Sequence, residues 1–551
     1  MTIRAETILQ TVATFGNVSI LENFTEDQQK MMFSVRVVEG VASLNFNVEI
    51  LALYPMQFHD TETIRFVNTN LLEYDHVNGD GSICVHTLHS TQLSQKLHLD
   101  FESLRHWIRK YYIAGEKDSH YEHIVVNPKS INDTETVFLF TDVDYSFTAN
   151  EFGFFNYSYL ATGLKQGEKI ITNLIQSFQT KQNNNTSCKW SKAYRKAEKQ
   201  EGLFCFLKTP PVKNRRFAIE NWKELEPFVH QGFIQFLFST HQNLISREQK
   251  PSYIPLLLGY SINEREVYWQ AVMIATESLP VTKNKVLNSH RYLGQFQDQE
   301  MFWCQTRNCS YEYYFGRGKL HDQITTAKVL VIGLGAIGSI VAKSIVRGGV
   351  RDITLIDYDV KEPENVCRSE YSFHTGICNK AVELHGELVQ VSPFVQVHHS
   401  EVLMDVVKLW SNHQNIAKPF KDLFSKYNLI FDCTTDSDVA SLLDRIDITS
   451  QVYCLSITNE AKELICAVKP NLYSWLAGIF EKLNTSSSQE LYQPTGCWSP
   501  TFRAGYTDIA VMVQWAIKQI NTSFVRGKPV RNFVISAADC ENFFEPKLIQ
   551  F

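Results

Sequence analysis

The chain reads as a multidomain α/β protein with a Rossmann-like, nucleotide-binding C-terminal half. Three observations predict this. The glycine turn "GLGAIG" lies between an apolar run and a helical run. From about residue 311 strand-like and helical runs alternate, as a doubly wound sheet requires. At 551 residues the chain exceeds what one hydrophobic core organises.

Composition narrows the class further. A net charge of −6 supplies no field for nucleic acid. No apolar run approaches the roughly 18–20 residues of a membrane span. The first residues, "MTIRAETILQTVATFGNV", carry no long apolar stretch, so the expected setting is cytoplasmic, with no membrane and no nucleic-acid partner. The twelve cysteines include no C-x-x-C pair, which argues against a zinc ribbon and a thioredoxin-like site. Reduced, scattered thiols are expected.

Residues 1–164 read as a mixed α/β unit. "MMFSVRVV", "ASLNFNVEILALY" and "TIRFVN" are rich in β-branched and aromatic residues and predict strands. "DFESLRHWIRKYYIA" predicts a helix with an apolar face, and "TETVFLFTDV" another strand. The polar stretch 179–200, "QTKQNNNTSCKWSKAYRKAEKQ", reads as an exposed loop or a basic-faced helix. Residues 165–310 form a second, linker-like unit, in which "GLFCFLKT", "PSYIPLLLGYSI" and "VYWQAVMIAT" predict buried strands. The third unit spans residues 311–551.

The third unit carries the clearest chemistry. "AKVLVIG" predicts a buried parallel strand, Gly333, Gly335 and Gly338 shape the turn, and "SIVAKSIVRGG" predicts the helix. Such a turn brings backbone amides close to phosphate at a helix N-terminus. "DITLIDYD" is a second strand ending at Asp357, about 20 residues beyond the glycines, where a ribose-binding carboxylate belongs. An NAD-dependent oxidoreductase fits equally well to this point. The continuation "DYDVKEPENVCRSEYSFHTGICNKA" adds Asp359, Asn365, Arg368 and Lys380. A dinucleotide has no need of the two cations, whereas a triphosphate losing pyrophosphate does. "YNLIFDCTTDSD" then predicts a strand ending in Asp432 and Asp436, carboxylates of the kind that hold Mg²⁺ against phosphate.

"GLGAIG", "DYDVKEPENVCR", the "NKA" lysine and "DCTTD" resemble the adenylating domain of the ubiquitin-activating and ThiF/MoeB family over residues 311–551. The resemblance implies ATP and Mg²⁺ as cofactors. By position, Asp357 would bind ribose, Asn365, Arg368 and Lys380 the phosphates, and Asp436 the metal. Gly376 and Lys380 stand one residue further apart than the family's G-x-x-K spacing, and the paired C-x-x-C of many bacterial relatives is missing.

Two thiols stand out. Cys497, in "ELYQPTGCWSPTFRAGYTDIAVMVQWAIKQI", sits among loop-forming Gly and Pro just before a helix expected near Thr507. A helix N-terminus favours a thiolate. Cys433, Cys454 and Cys466 lie in apolar runs and read as core, and Cys367 lies beside the phosphate ligands. The second thiol is Cys84 in "DHVNGDGSICVHTL". This stretch resembles the active-site segment of ubiquitin-conjugating enzymes, with His76-Val77-Asn78 in the place of the H-P-N tripeptide but about two residues nearer the cysteine. "LALYP" fits that fold's strand and Tyr-Pro turn. Asn78 is a candidate oxyanion donor; His86 and His89 are candidate bases.

A conjugating-like domain, a linker domain and an adenylating domain in this order resemble the fused ubiquitin-transferase-like enzymes of bacterial type II CBASS antiphage operons. That resemblance implies a relay from adenylate to Cys497, to Cys84, to a target lysine. The implied donor is a cGAS/DncV-like nucleotidyltransferase or another ubiquitin-like C-terminus. It also implies a homodimer through the adenylating domain, with Arg317 a candidate to complete the partner's ATP site. Two alternatives stay open: a sulfur-carrier-type adenylyltransferase with a non-catalytic N-terminal binding module, and a dinucleotide oxidoreductase.

Overall fold

The computed structural model describes residues 3–550 apart from 23, 27–28, 57–61, 86, 118–123, 166, 197, 215, 246–250, 264–265, 286–291, 401–416, 459–460, 484–491, 495–499, 503 and 541–542. Cys497 and His86 lie outside the described residues.

The N-terminal domain is an antiparallel sheet with helices against one face. Helix α1 (Ile3–Ala13) precedes β1 (Val18–Ile20), β2 (Thr25–Glu26), β3 (Lys30–Glu39), β4 (Ala42–Leu51) and β5 (Ile64–Val67). The order is β1-β3-β4-β5, with β2 beside β3. Alternation places Met31, Phe33, Val35 and Val37 of β3 inward, opposite Leu44, Phe46 and Val48 of β4. Helix α2 (Leu93–Trp107) covers them and runs directly into a π-helical turn, Ile108–Ile113. It begins well before the segment the sequence marks, and the edge-on packing of Phe101 on Phe66, centroids 4.9 Å apart, fixes its seat.

A nine-stranded mixed sheet forms the middle domain. Its strands include Thr134–Phe140, Phe152–Lys165 and Glu168–Thr180, so the expected boundary at 164/165 cuts through a hairpin. The physical reason is pairing: Thr134–Phe140 runs parallel to Gln305–Asn308 and to Glu168–Thr180, and all three belong to one sheet. The stretch 179–200 is neither helix nor one long loop. It completes a strand, forms the short strand Asn185–Ser187 and seats a buried Trp190. Near residues 211–218 a small hairpin, β6 (Val212–Lys213) and β7 (Phe217–Ala218), stands off the main sheet.

The C-terminal domain is built on β8 (Lys328–Ile332), α3 (Ala336–Arg347), β9 (Asp352–Ile356), α4 (Lys380–Val391), β10 (Gln396–Ser400), β11 (Leu429–Asp432), α5 (Ser437–Arg445), β12 (Gln451–Thr458), β13 (Glu463–Val468), α6 (Tyr506–Val525), β14 (Phe533–Cys540) and β15 (Phe543–Gln550). The sheet order is β10-β9-β8-β11-β12-β13-β14-β15. The first five strands are parallel and the last three antiparallel. Strand order reverses between β8 and β11, the switch point where open α/β sheets place ligands. The middle domain grips this one firmly: Ser191 donates to the Pro393 carbonyl (2.7 Å), Tyr194 to Val389 (2.9 Å), and Trp190 stacks on Phe394. Among the described residues no helix is long and apolar enough to cross a membrane.

Candidate functional site

At the switch point the glycine turn is tightly built. Gly333 has φ +77°, and a Cβ there would stand 2.8 Å from Thr434 backbone; at Gly338 it would stand 1.8 Å from the Gly333 carbonyl oxygen. Gly335 instead faces open space, with nothing within 4 Å of the corresponding point. The turn therefore packs closely on the end of β11 while presenting the N-terminus of α3 outward, an arrangement that suits phosphate.

Asp357 is buried at the end of β9. Its two oxygens accept from the Leu334 amide (2.6 Å) and the Asp359 amide (2.8 Å), which ties the acid to the glycine turn. Lys380, at the start of α4, is buried and reaches back to Asp359 at 2.5 Å. The structure thus brings Asp357, Asp359 and Lys380 to one strand end, with the longer Gly376–Lys380 spacing absorbed by a turn in which Gly376 has φ +65°. Asn365 and Arg368 lie on the 3-10 segment Pro363–Arg368, both half-buried; Asn365 accepts from the Glu362 amide at 3.0 Å. Asp436 is exposed and caps α5, its Oδ1 accepting from Asp438 (2.7 Å) and Val439 (3.4 Å). Asp432 is fully buried and satisfied by Thr434 and the Cys454 thiol, and burial raises its carboxyl above the ordinary range, so it serves the fold.

Sequence reading missed a layer beneath this site. Lys361 and Glu383 form an ion pair at 2.8 Å with side chains 1% and 2% exposed. Glu383 also accepts from the Ser372 amide (2.9 Å) and the Cys378 thiol (3.0 Å). Burial alone would raise the Glu383 carboxyl, but the Cys378, Lys361 and Ser372 donors hold it below its usual value. The available signal was a charged residue directly after the strand-end acids and a second one turn into α4. Nearby, Tyr506 at the start of α6 donates to Glu370 (2.5 Å), which pairs with Lys343 (3.1 Å). Burial and that carboxylate push the Tyr506 phenol up to about 12, the Glu370 bond being the larger cause. The α6 N-terminus is thereby pinned two residues beyond Arg368. Arg317 is exposed.

In the N-terminal domain the Cys84 loop is fixed by its own backbone. Asn68 donates to Gly81, Ile83 to Phe66 and Cys84 to His76, each at 2.8–2.9 Å. Gly81 has φ +82°, and a Cβ there would stand 2.8 Å from Asn68 and Thr69 backbone, which explains the glycine. Behind the loop, Tyr54 donates to Asp100 of α2 (2.8 Å), and Asp100 accepts from Thr87 (2.6 Å) and pairs with Lys96. The Asn78 amide donates to Ser82 Oγ at 2.9 Å and is committed to the turn. His89 is exposed. Cys84 is half-buried, with its Sγ 4.0 Å from Glu62. Burial pushes the thiol up, Glu62 adds to the rise, and the Arg216 guanidinium acts against both. Among the described residues no group of three metal-ligating side chains occurs.

The chain is similar to several known proteins, chiefly over its C-terminal half. The ThiF family model matches residues 312–478. The ATP-dependent ubiquitin transferase-like protein Cap2 of Enterobacter hormaechei subsp. hoffmannii is 25% identical over 363 residues, 61% of this chain and 58% of that protein. The molybdopterin-synthase adenylyltransferase of Haemophilus influenzae is 22% identical over 125 residues, 22% of this chain and 47% of that one. The match thus spans little more than half the length of the first relative and less than half of the second. The crystal structure of E. coli MccB with ATP covers 42% of this chain and 65% of that chain at 14% identity, with a TM-score of 0.30. Residues 312–478 form a Rossmann-type, ThiF-like adenylation domain.

Proposed function

We propose that this protein uses ATP and Mg²⁺ to activate the C-terminal carboxylate of a protein and passes the acyl group along two of its own thiols to an amine. The observation that carries the reading is the strand-end cluster: Asp357 locked to the glycine turn, with Lys380 held 2.5 Å from Asp359 beside it. A nicotinamide site has no use for that buried cation; a departing pyrophosphate has.

Each step balances on named groups. The donor carboxylate attacks the α-phosphorus of ATP and pyrophosphate leaves, with Lys380 and Arg368 offsetting its charge and Asn365 positioning the phosphates. Asp436 would hold Mg²⁺, which when bound neutralises phosphate oxygens; the carboxylate that caps α5 is exposed and forms no ion pair among the described residues, which suits a cation. The Cys497 thiolate then attacks the acyl carbon and AMP leaves. Support for this thiol is the Tyr506–Glu370 bond, which ties the helix following it to the phosphate segment. The Cys84 thiolate attacks the resulting thioester and expels the Cys497 thiolate. A lysine amine finally attacks, the Cys84 thiolate leaves, and the amine gives its proton to solvent. The donor proposed is a cGAS/DncV-like nucleotidyltransferase or another ubiquitin-like C-terminus. Pairing of two adenylating domains, with Arg317 reaching the partner's ATP site, belongs to the same proposal.

The relay is tested by thiol variants on non-reducing gels with such a donor protein. Cys497→Ala should form acyl-adenylate and no thioester. Cys84→Ala should load Cys497 and stall with one reductant-sensitive adduct. Full conjugation by the Cys84→Ala protein would refute the second transfer and favour an adenylyltransferase with an N-terminal docking module.

A further inference from the structure

The Cys84 loop does not stand alone, because the middle domain leans on it. A ring carbon of Phe217 lies 3.4 Å from the point a Cβ on Gly79 would occupy. Phe217 begins β7 of the small hairpin, and Arg216 directly precedes it. This strand is pinned by Val125, whose amide donates to the Arg216 carbonyl (2.8 Å) and whose carbonyl accepts from Ala218 (2.9 Å). Arg216 is only 6% exposed, and its guanidinium lies over the Phe217 ring at 5.5 Å.

A thiol that attacks and later leaves as an anion needs positive charge or donors nearby. Several of the loop's own donors are committed elsewhere. Asn78 serves Ser82, the Ile83 and Cys84 amides serve Phe66 and His76, and the Ser82 amide serves Asp80. Glu62, 4.0 Å from the sulfur, has the wrong sign. What the fold brings up from outside the loop is a buried guanidinium on a braced hairpin.

We propose that Arg216, supplied by the middle domain, is the electrostatic partner of the Cys84 sulfur, offsetting Glu62 and stabilising negative charge on Sγ. The inference rests on the reading of Cys84 as an acyl carrier, and it deepens that reading. When Cys84 attacks the thioester, the new C–S bond forms as the Cys497 thiolate departs; when the lysine attacks, the C–S bond breaks and the electron pair returns to Cys84. The sulfur carries charge at both moments. The middle domain is then part of the transfer site, and Arg216 is a positioning residue acting through the thiol.

The test needs no donor. Cys84 is alkylated with iodoacetamide in the full-length protein and its rate read by peptide mass spectrometry, with exposed Cys367 as internal reference. Arg216→Gln should slow Cys84 roughly threefold or more relative to Cys367, a loss of thiolate partly offset by higher intrinsic nucleophilicity. Arg216→Lys, which keeps the charge, should stay close to wild type. An unchanged rate in Arg216→Gln overturns the inference, as does a faster one, which would mean that the side chain only shields the thiol. The two readings separate cleanly. Slowed labelling together with conjugation by Cys84→Ala would sink the relay and keep the pairing. Unchanged labelling together with loss of conjugation in Cys84→Ala would do the reverse.

Discussion

Replacing Lys361 with methionine tests whether the buried pair beneath the nucleotide site holds that site together. The side chain is of similar length, so the change removes a charge and little volume. Glu383, 2% exposed, then loses its only ionic partner in the described residues. Removing one member of a buried ion pair typically costs about 3–5 kcal/mol. A second route gives a similar figure. If Glu383 protonates instead, neutralising a group of ordinary pKa near 4.3 at pH 7 costs about 4 kcal/mol. In a domain of this size each kcal/mol moves the melting temperature by about 2–4 °C, so Lys361→Met should lower the C-terminal transition by roughly 6–20 °C in calorimetry. The double variant Lys361→Met/Glu383→Leu should regain more than half of that, because an apolar replacement of both charges leaves neither one stranded. The pH dependence has a definite sign. The folded-state pKa of Glu383 is depressed, so its contribution is present above about pH 4.3 and is lost as pH falls through the folded value. The gap between wild type and Lys361→Met should therefore narrow below that pH. A drop under 2 °C, or a double variant no more stable than the single, would refute the argument.

Asp436→Asn separates a cap from a metal ligand: asparagine keeps the α5 cap, so stability should change by less than about 0.5 kcal/mol, while ATP–pyrophosphate exchange with a donor protein should collapse. Normal exchange in that variant would remove Asp436 from the mechanism. Lys380→Ala faces an Asp359 carboxylate that is 54% exposed, so the melting temperature should hardly move while exchange falls roughly 10²–10³-fold. Arg368→Ala should match it; an effect of Arg368 alone would leave Lys380 the lesser task of holding Asp359.

What was legible in the sequence followed from period and punctuation. Alternation in "MMFSVRVV" and "ASLNFNVEIL" fixes one inward face, because a pleated strand offers nothing else. The glycine turn announces itself, since a Cβ at Gly338 cannot coexist with the Gly333 carbonyl. The middle domain hid its start at Thr134 because its partner strand, Gln305–Asn308, lies far along the chain, and no local pattern encodes a distant register. Asn78 reads in the sequence as a candidate oxyanion donor, whereas its commitment to Ser82 depends on the turn closing around Gly81. No local pattern pairs Lys361 with Glu383, and only three-dimensional packing shows them facing one another in the interior of the domain.

The strand pairing of Thr134–Phe140 with Gln305–Asn308 also sets an order of events during synthesis. Val137 meets Gln305 across roughly 170 intervening residues, whereas β3 meets β4 across a tight turn from Glu39 to Ala42. As the chain leaves the ribosome, the N-terminal sheet can close early, on local contacts. The Thr134 strand must wait at this edge, its hydrogen-bonding groups facing water, until residue 308 has emerged. The last piece of the middle domain to be made is thus the one that seals it, and the adenylating domain begins within a few residues of that seal.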